Sequence, residues 1–136
     1  MQTKLLTLLA LLALIVYSTS LAAKQKPFLI HGQLPHLTKN IMQLWDDEDL
    51  ALTPEQKTKL KQIRQKTVSG LGTIKGEVFP LEEEIVKASA NGTAPSGLED
   101  DVEKLAELRA EATMLHLNCI YDTREVLTKK QLQMIE

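Results

Sequence analysis

Cysteine is almost absent from this chain of 136 residues, which contains only Cys119. A single thiol cannot form a disulfide within its own chain, so the class of small secreted scaffolds built on disulfides is excluded. Three environments remain for Cys119: burial on the apolar face of a helix, an intermolecular disulfide, or a metal site. Burial is the preferred interpretation, and the other two stay open.

The chain also lacks a block of positive charge of the kind that binds nucleic acid, and any segment with the pattern of a β-strand. Lysine and arginine together number 16 against 18 aspartate and glutamate residues, which gives a formal net charge of −2. Nucleic acids bind to basic patches, so they are not expected partners. No segment alternates apolar and polar residues with the period of two that a half-buried strand requires, which indicates an all-α fold.

A constellation of residues for catalysis is missing as well. His116 and Cys119 could act as base and nucleophile, but two neighbours on one helix have no oxyanion site and no cleft around them. The acidic runs at 46–49, 82–84 and 99–101 are consecutive, so their side chains spread into solvent instead of facing each other across a cleft. We therefore expect a protein that is not an enzyme.

Long apolar runs are confined to the N-terminus, where residues 1–23 have the pattern of a secretory signal peptide. Lys4 precedes the apolar residues 5–16, and small side chains lead to a cleavage point after Ala22. The apolar run is shorter than the roughly 20 residues that a membrane span requires, so a cleaved signal is preferred over an uncleaved anchor. The rest of the chain is expected to be exported, without stable membrane insertion after cleavage.

The exported part divides into an extended arm at 24–35 and a single helical domain at 36–136. The arm contains two prolines and a glycine, which do not favour regular structure. Apolar residues at spacings of three and four then predict a short helix over 36–47 and two long helices, one from 54 to a turn at 90–97 and one over 97–126. A last short helix is expected at the C-terminus.

Two residues bear on the limits of the long helices. Pro80 predicts a bend or break within the first one, and Ser96 is expected to cap the second. Two long helices joined by a tight turn form a long antiparallel hairpin, with the short helices flanking it. Because a single hairpin buries only one side of each apolar stripe, a homodimer is expected.

Two short stretches share the pattern Leu-Thr-x-x-Gln, at 52–56 and 127–131. In each, the threonine hydroxyl can accept a bond from a free backbone N–H of the first helical turn, and the glutamine three residues later can return one. In a hairpin both stretches lie at the same end, so their leucines are expected to meet at its base. The residues of this structural motif are Leu52, Thr53, Gln56, Leu127, Thr128 and Gln131.

With both motifs at the ends of a predicted helical hairpin in an exported chain, the sequence resembles the Spy/CpxP family of periplasmic stress proteins. The resemblance covers the layout of most of the exported part and implies a cradle-shaped homodimer in the periplasm. Some members are ATP-independent chaperones of unfolded envelope proteins, and others restrain the periplasmic domain of a sensor kinase. The resemblance therefore implies a chaperone or stress adaptor without a cofactor.

Client binding is then expected through apolar side chains on the concave face of the hairpin. The candidates are Leu71, Ile74, Val78 and Phe79. In the chaperone members this face is positive, whereas this chain carries acidic runs on both long helices. Its basic residues are concentrated at 57–66, near the start of the first long helix.

The alternative function is the binding or sensing of a heavy metal such as zinc, copper or nickel. His116 and Cys119 are three residues apart on a helix and share a face, a spacing that can bind a soft or borderline metal. Related branches of the superfamily use histidines ahead of the first helix and near the end of the last long one, and His36 with His116 partly matches them. The candidate ligands are His36, His116 and Cys119.

Overall fold

A computed structural model of the chain describes residues 26–136, and the predicted signal peptide at 1–23 lies outside them. Helix makes up 74% of these residues and no strand occurs among them, which confirms the all-α class. None of the helices in this described part is long and apolar enough to cross a membrane. The four α-helices of residues 26–136 are α1 (Leu37–Gln43), α2 (Pro54–Ala90), α3 (Glu99–Val126) and α4 (Lys129–Ile135).

The two long helices, α2 and α3, pack side by side and run in opposite directions. The side chain of Gln56 bonds to the carbonyl of Val126 at one end of the pair, and Glu82 forms an ion pair with Arg109 towards the other end. Gly92 allows the chain to turn between them, since its φ of 83° lies in the left-handed region that favours glycine.

Of the bend or break predicted at Pro80, the break does not occur, because α2 continues from Pro54 to Ala90. A proline inside a helix removes one N–H donor and crowds the carbonyl four residues earlier. Here that carbonyl belongs to Gly76, and both Gly76 and Pro80 are exposed, so water can hydrate the unpaired group. Gly70 is the glycine that permits close helix approach, since a Cβ there would lie 2.6 Å from a methyl group of Leu115.

Two helix ends also differ from the prediction. Ser96 does not cap α3, because Pro95–Gly97 form a short 3-10 helix and Leu98 occupies the cap position without a side-chain bond. Helix α1 ends at Gln43 instead of near 47. The carboxylate of Asp47 accepts bonds from two following backbone N–H groups and so stabilises a turn in place of further helix.

Apolar side chains form two separate cores along the helix pair. The base core lies where α1 and α4 pack against the ends of the long helices, and consists of Leu37, Ile41, Leu50, Leu60, Leu127 and Ile135. Leu52 packs against this core, so the two motif leucines do meet there. The middle core lies between the long helices themselves, and consists of Phe28, Ile74, Val78, Leu108 and Ala112.

Both Leu-Thr-x-x-Gln stretches form the predicted capping boxes, with Thr53 at the start of α2 and Thr128 at the start of α4. The structure adds a contact between them that the pattern did not predict. Gln56 Nε2 donates to Gln131 Oε1 at 2.9 Å, and Gln131 Nε2 donates back to Gln56 Oε1 at 3.2 Å. Gln131 also donates to the carbonyl of Leu50 at 2.9 Å. The two motifs therefore join α2, α4 and the segment before α2.

Candidate functional site

The N-terminal arm lies across the face formed by α2 and α3. Within the arm, Pro27 and Phe28 are buried, whereas the next two side chains point outward, Leu29 with 55% and Ile30 with 41% of its surface exposed. Phe28 belongs to the middle core, where it packs against residues of both long helices. One aromatic side chain therefore anchors this irregular segment.

Polar groups of α3 hold the backbone of the arm on both sides of Phe28. The N–H of Leu29 donates to Thr113 Oγ1 at 2.9 Å. Arg109 Nη1 donates to the carbonyls of Lys26 at 3.1 Å and of Phe28 at 3.4 Å. These bonds involve backbone atoms of the arm, so they do not depend on its sequence.

Two histidines continue the contact beyond Phe28. The ring of His116 lies 5.2 Å from that of Phe28, centroid to centroid, and is stacked on the ring of His36 at 4.8 Å with 16° between the planes. Burial lowers the pKa of His116 below its ordinary value of 6.5, and nearby His36 lowers it further, while the carbonyl of Pro35 acts in the opposite direction. Burial also lowers the pKa of His36, followed by the charges of two lysines, Lys26 and Lys39. Both rings are therefore neutral at pH 7.

Cys119 lies one helical turn after His116 and is a free, buried thiol. Its Sγ is 4.0 Å from the hydroxyl oxygen of Thr38 in α1. This agrees with burial, the preferred interpretation of the lone cysteine. A thiol with 6% of its surface exposed is poorly placed for a disulfide to a second chain.

An open cleft of about 330 Å³ lies beside the stacked histidines, and apolar atoms form most of its wall. Val68 and Leu71 of α2 line it together with Phe28, and Arg64 and Lys39 add positive charge. Of the basic segment at 57–66, Arg64 thus faces the cleft. Lys57 and Lys61 instead lie over the ring of Trp45, at 5.6 and 5.4 Å from its centroid.

The predicted client-binding residues are only partly available on this face. Ile74 and Val78 have 4% and 0% of their surface exposed, because they lie in the middle core beneath Phe28, so their assignment to an open surface was wrong. Leu71 and Phe79 are half-buried beside the same core. Sequence reasoning missed Phe28, although a phenylalanine in an otherwise irregular, proline-bounded arm was a signal that could have indicated a docked segment.

The predicted metal ligands come together only in part. His36 and His116 are in contact, and Cys119 is one turn away, but no group of three or more His, Cys, Asp or Glu within residues 26–136 is arranged to hold a metal ion. In a ring stack the nitrogen lone pairs lie in two nearly parallel planes and do not converge on one point. The geometry described here favours an apolar contact between neutral imidazoles.

A scan against protein-family models and searches of curated proteins and of solved structures found no match to this chain. The resemblance to the Spy/CpxP family therefore stays a prediction that rests on the motif pattern. The features of the described chain that bear on function are the groove between α2 and α3, its bound arm and the adjoining cleft.

Acidification is expected to release the arm. Both histidine pKa values lie below 6.5 in the folded chain, so the stability that the neutral stack contributes is complete above pH 6.5 and is lost as the pH falls through the folded values. The two positive rings would then lie beside Lys39 and Arg64, and no carboxylate among the described residues lines the cleft to offset them.

Hydrogen exchange of the Leu29 amide, which bonds to Thr113, measures this release. We expect its protection factor to be lower at about pH 5 than at neutral pH, because protonation of the two rings weakens the contacts that hold the arm. His36→Gln should remove much of the pH dependence, whereas His31→Gln, at an exposed arm position, should leave it in place. Equal protection at both pH values in the wild type would contradict the prediction.

Proposed function

We propose that this protein is a non-enzymatic chaperone or stress adaptor that binds extended apolar segments of other polypeptides on the arm-bearing face of its helical hairpin. One observation carries the proposal: the groove between the long helices already holds a segment without helix or strand, the chain's own arm. It does so with one buried aromatic side chain, Phe28, and with backbone bonds from Arg109 and Thr113. Unfolded polypeptides offer the same two features, exposed backbone and exposed aromatic side chains.

Apolar side chains continue along this face of α2 beyond the arm, which supports the proposal. Val68 and Val86 are 18 residues apart, or about five helical turns, and so point in the same direction. Phe79 falls on the same side between them. Val68 and Val86 leave 55% and 67% of their surface exposed, so a longer client segment would find further contacts.

The proposal includes the periplasm as location and a homodimer as the working form. A second hairpin would extend the arm-bearing face into a cradle, and the clients would be unfolded envelope proteins or the periplasmic domain of a sensor kinase.

Light scattering on the purified chain should then give twice the mass of one chain. A pull-down with the sensor domain distinguishes the adaptor from the general chaperone.

The chaperone activity is tested by aggregation of a chemically unfolded client in the presence of the purified chain at stoichiometric ratio. We expect clear suppression by the wild type and a severalfold weaker effect of Val68→Ser on the arm-bearing face. Met114→Ser is the matched control, because Met114 has the same exposed fraction as Val68, 55%, and lies on α3 away from the cleft. Failure of the wild type to delay aggregation would remove the chaperone form of the proposal.

Metal binding is the second candidate function, and the contact between His36 and His116 is the observation that favours it. Zinc, copper or nickel would require the two rings to leave their stack and Cys119 to serve as a further ligand. Titration of zinc and copper into the wild type, His116→Ala and Cys119→Ala tests this. Binding weaker than about millimolar, or unchanged in the variants, would remove the candidate.

A further inference from the structure

The site that holds Phe28 has the features of an exchange site. We propose that a segment of a client polypeptide, extended in backbone and carrying its own aromatic side chain, displaces the arm and takes the place of Phe28. This inference rests on the proposed function and specifies which site and which class of segment it uses.

The pocket favours an aromatic side chain over an aliphatic one. Its walls are aliphatic and come from both long helices, with Ile74 and Val78 on α2 and Leu108 and Ala112 on α3. One side is different, because the ring of His116 faces the ring of Phe28 at 5.2 Å and 31°. An aromatic guest gains this ring contact in addition to apolar burial, and an aliphatic guest does not.

The two side chains that bind the backbone of the arm, Arg109 and Thr113, are held in place by other residues of the long helices. Glu82 pairs with the guanidinium of Arg109, and the two side chains have only 25% and 15% of their surface exposed. The hydroxyl of Thr113 donates to the carbonyl of Arg109 at 2.8 Å, which leaves an oxygen lone pair free to accept from the arm. The guanidinium of Arg109, which donates, and the hydroxyl of Thr113, which accepts, are therefore held by α2 and α3 themselves. They can bind the backbone of any extended segment.

The arm behaves as a tethered ligand with few contacts of its own. Among the arm residues that the structure describes, 26–35, only Pro27 and Phe28 are buried, and the chain is irregular from residue 26 to the start of α1. A short tether gives such a segment an effective concentration in the millimolar range or above, so it competes with any free peptide for the pocket. The apparent affinity for a free peptide is reduced by the fraction of molecules in which the arm occupies the site.

A fluorescein-labelled peptide with the sequence of residues 24–33, which contains Phe28, is the direct probe of this exchange. We expect its binding, measured by fluorescence anisotropy, to be at least about tenfold tighter to Phe28→Ala than to the wild type, because the variant's own arm no longer fills the pocket. Leu29→Ala is the matched control and should bind like the wild type, since Leu29 is 55% exposed. A peptide in which alanine replaces the phenylalanine should not bind to either protein.

Equal peptide affinity of Phe28→Ala and the wild type, with both folded by circular dichroism, would overturn the inference. If Phe28→Ala does not fold, Phe28→Leu replaces it, since leucine fills part of the pocket but loses the ring contact with His116, and tighter binding than to the wild type is again expected. The aggregation assay separates the two proposals. Peptide exchange without suppression of aggregation removes the chaperone and keeps the site, whereas suppression without exchange keeps the chaperone and removes the site.

Discussion

Val78→Asp is expected to abolish the cooperative thermal unfolding transition of this protein, whereas Val86→Asp on the same helix should leave the midpoint almost unchanged. Val78 has 0% of its surface exposed and packs in the middle core with Ile74 and Leu108. The substitution removes apolar burial and places an unpaired carboxylate among aliphatic side chains, at a cost of roughly 4–5 kcal/mol. That loss is close to the lower end of the stability of an ordinary small domain, which is about 5–15 kcal/mol.

The comparison with Val86 shows whether the loss of stability at position 78 comes from the burial of that side chain. Val86 is 67% exposed, so its aspartate stays in water and should change the free energy of unfolding by no more than about 0.5 kcal/mol. Circular dichroism melts and urea titrations of both variants provide the measurement. A Val78→Asp protein with the wild-type midpoint would mean that position 78 lies on an open surface, as the sequence pattern predicted.

Gln131→Ala is expected to lower the free energy of unfolding by roughly 2–4 kcal/mol, a large effect for a single polar side chain. Gln131 is 7% exposed, and its amide accepts from the N–H of Thr128 and donates to the carbonyl of Leu50. Alanine leaves both backbone groups without these partners and also removes the bonds to Gln56. Gln133→Ala is the matched control, because Gln133 is an exposed glutamine on the same helix.

A double-mutant cycle with Gln56→Ala determines whether the two motifs act together. Because the amides of Gln56 and Gln131 bond to each other, the loss in the double variant should be smaller than the sum of the single losses by about 1 kcal/mol. Urea unfolding of the four proteins gives the coupling energy. Additive losses would mean that the stretches act only as two independent helix caps.

Local patterns in the sequence predicted the helical part of this structure well. Thr53 and Thr128 form capping boxes because a cap requires only a hydroxyl and a glutamine three residues apart. The errors arose where local rules compete. Pro80 stays inside a helix because the carbonyl of Gly76, which it leaves without a donor, is in a part of the helix exposed to water. Ser96 does not cap α3 because Pro95 begins a 3-10 helix.

The candidate site could not be predicted in the same way, because its contacts join residues far apart in the chain. Leu29 and Thr113 are separated by 84 positions, and Gln56 and Gln131 by 75. A helical period tells which residues share a face, but it does not tell which face of α2 meets α3. The face of α2 that meets α3 carries Ile74 and Val78, so both are buried, and an arm residue, Phe28, covers them.

By itself, then, the sequence determined the all-α class and the starts of the two capped helices, since residue patterns and bonds within one helical turn suffice for these. Only the tertiary structure decided that the arm docks through Phe28 and that His36 stacks on His116. The physical reason is that packing depends on the shapes of two surfaces at once. Neither surface is visible in a single stretch of sequence.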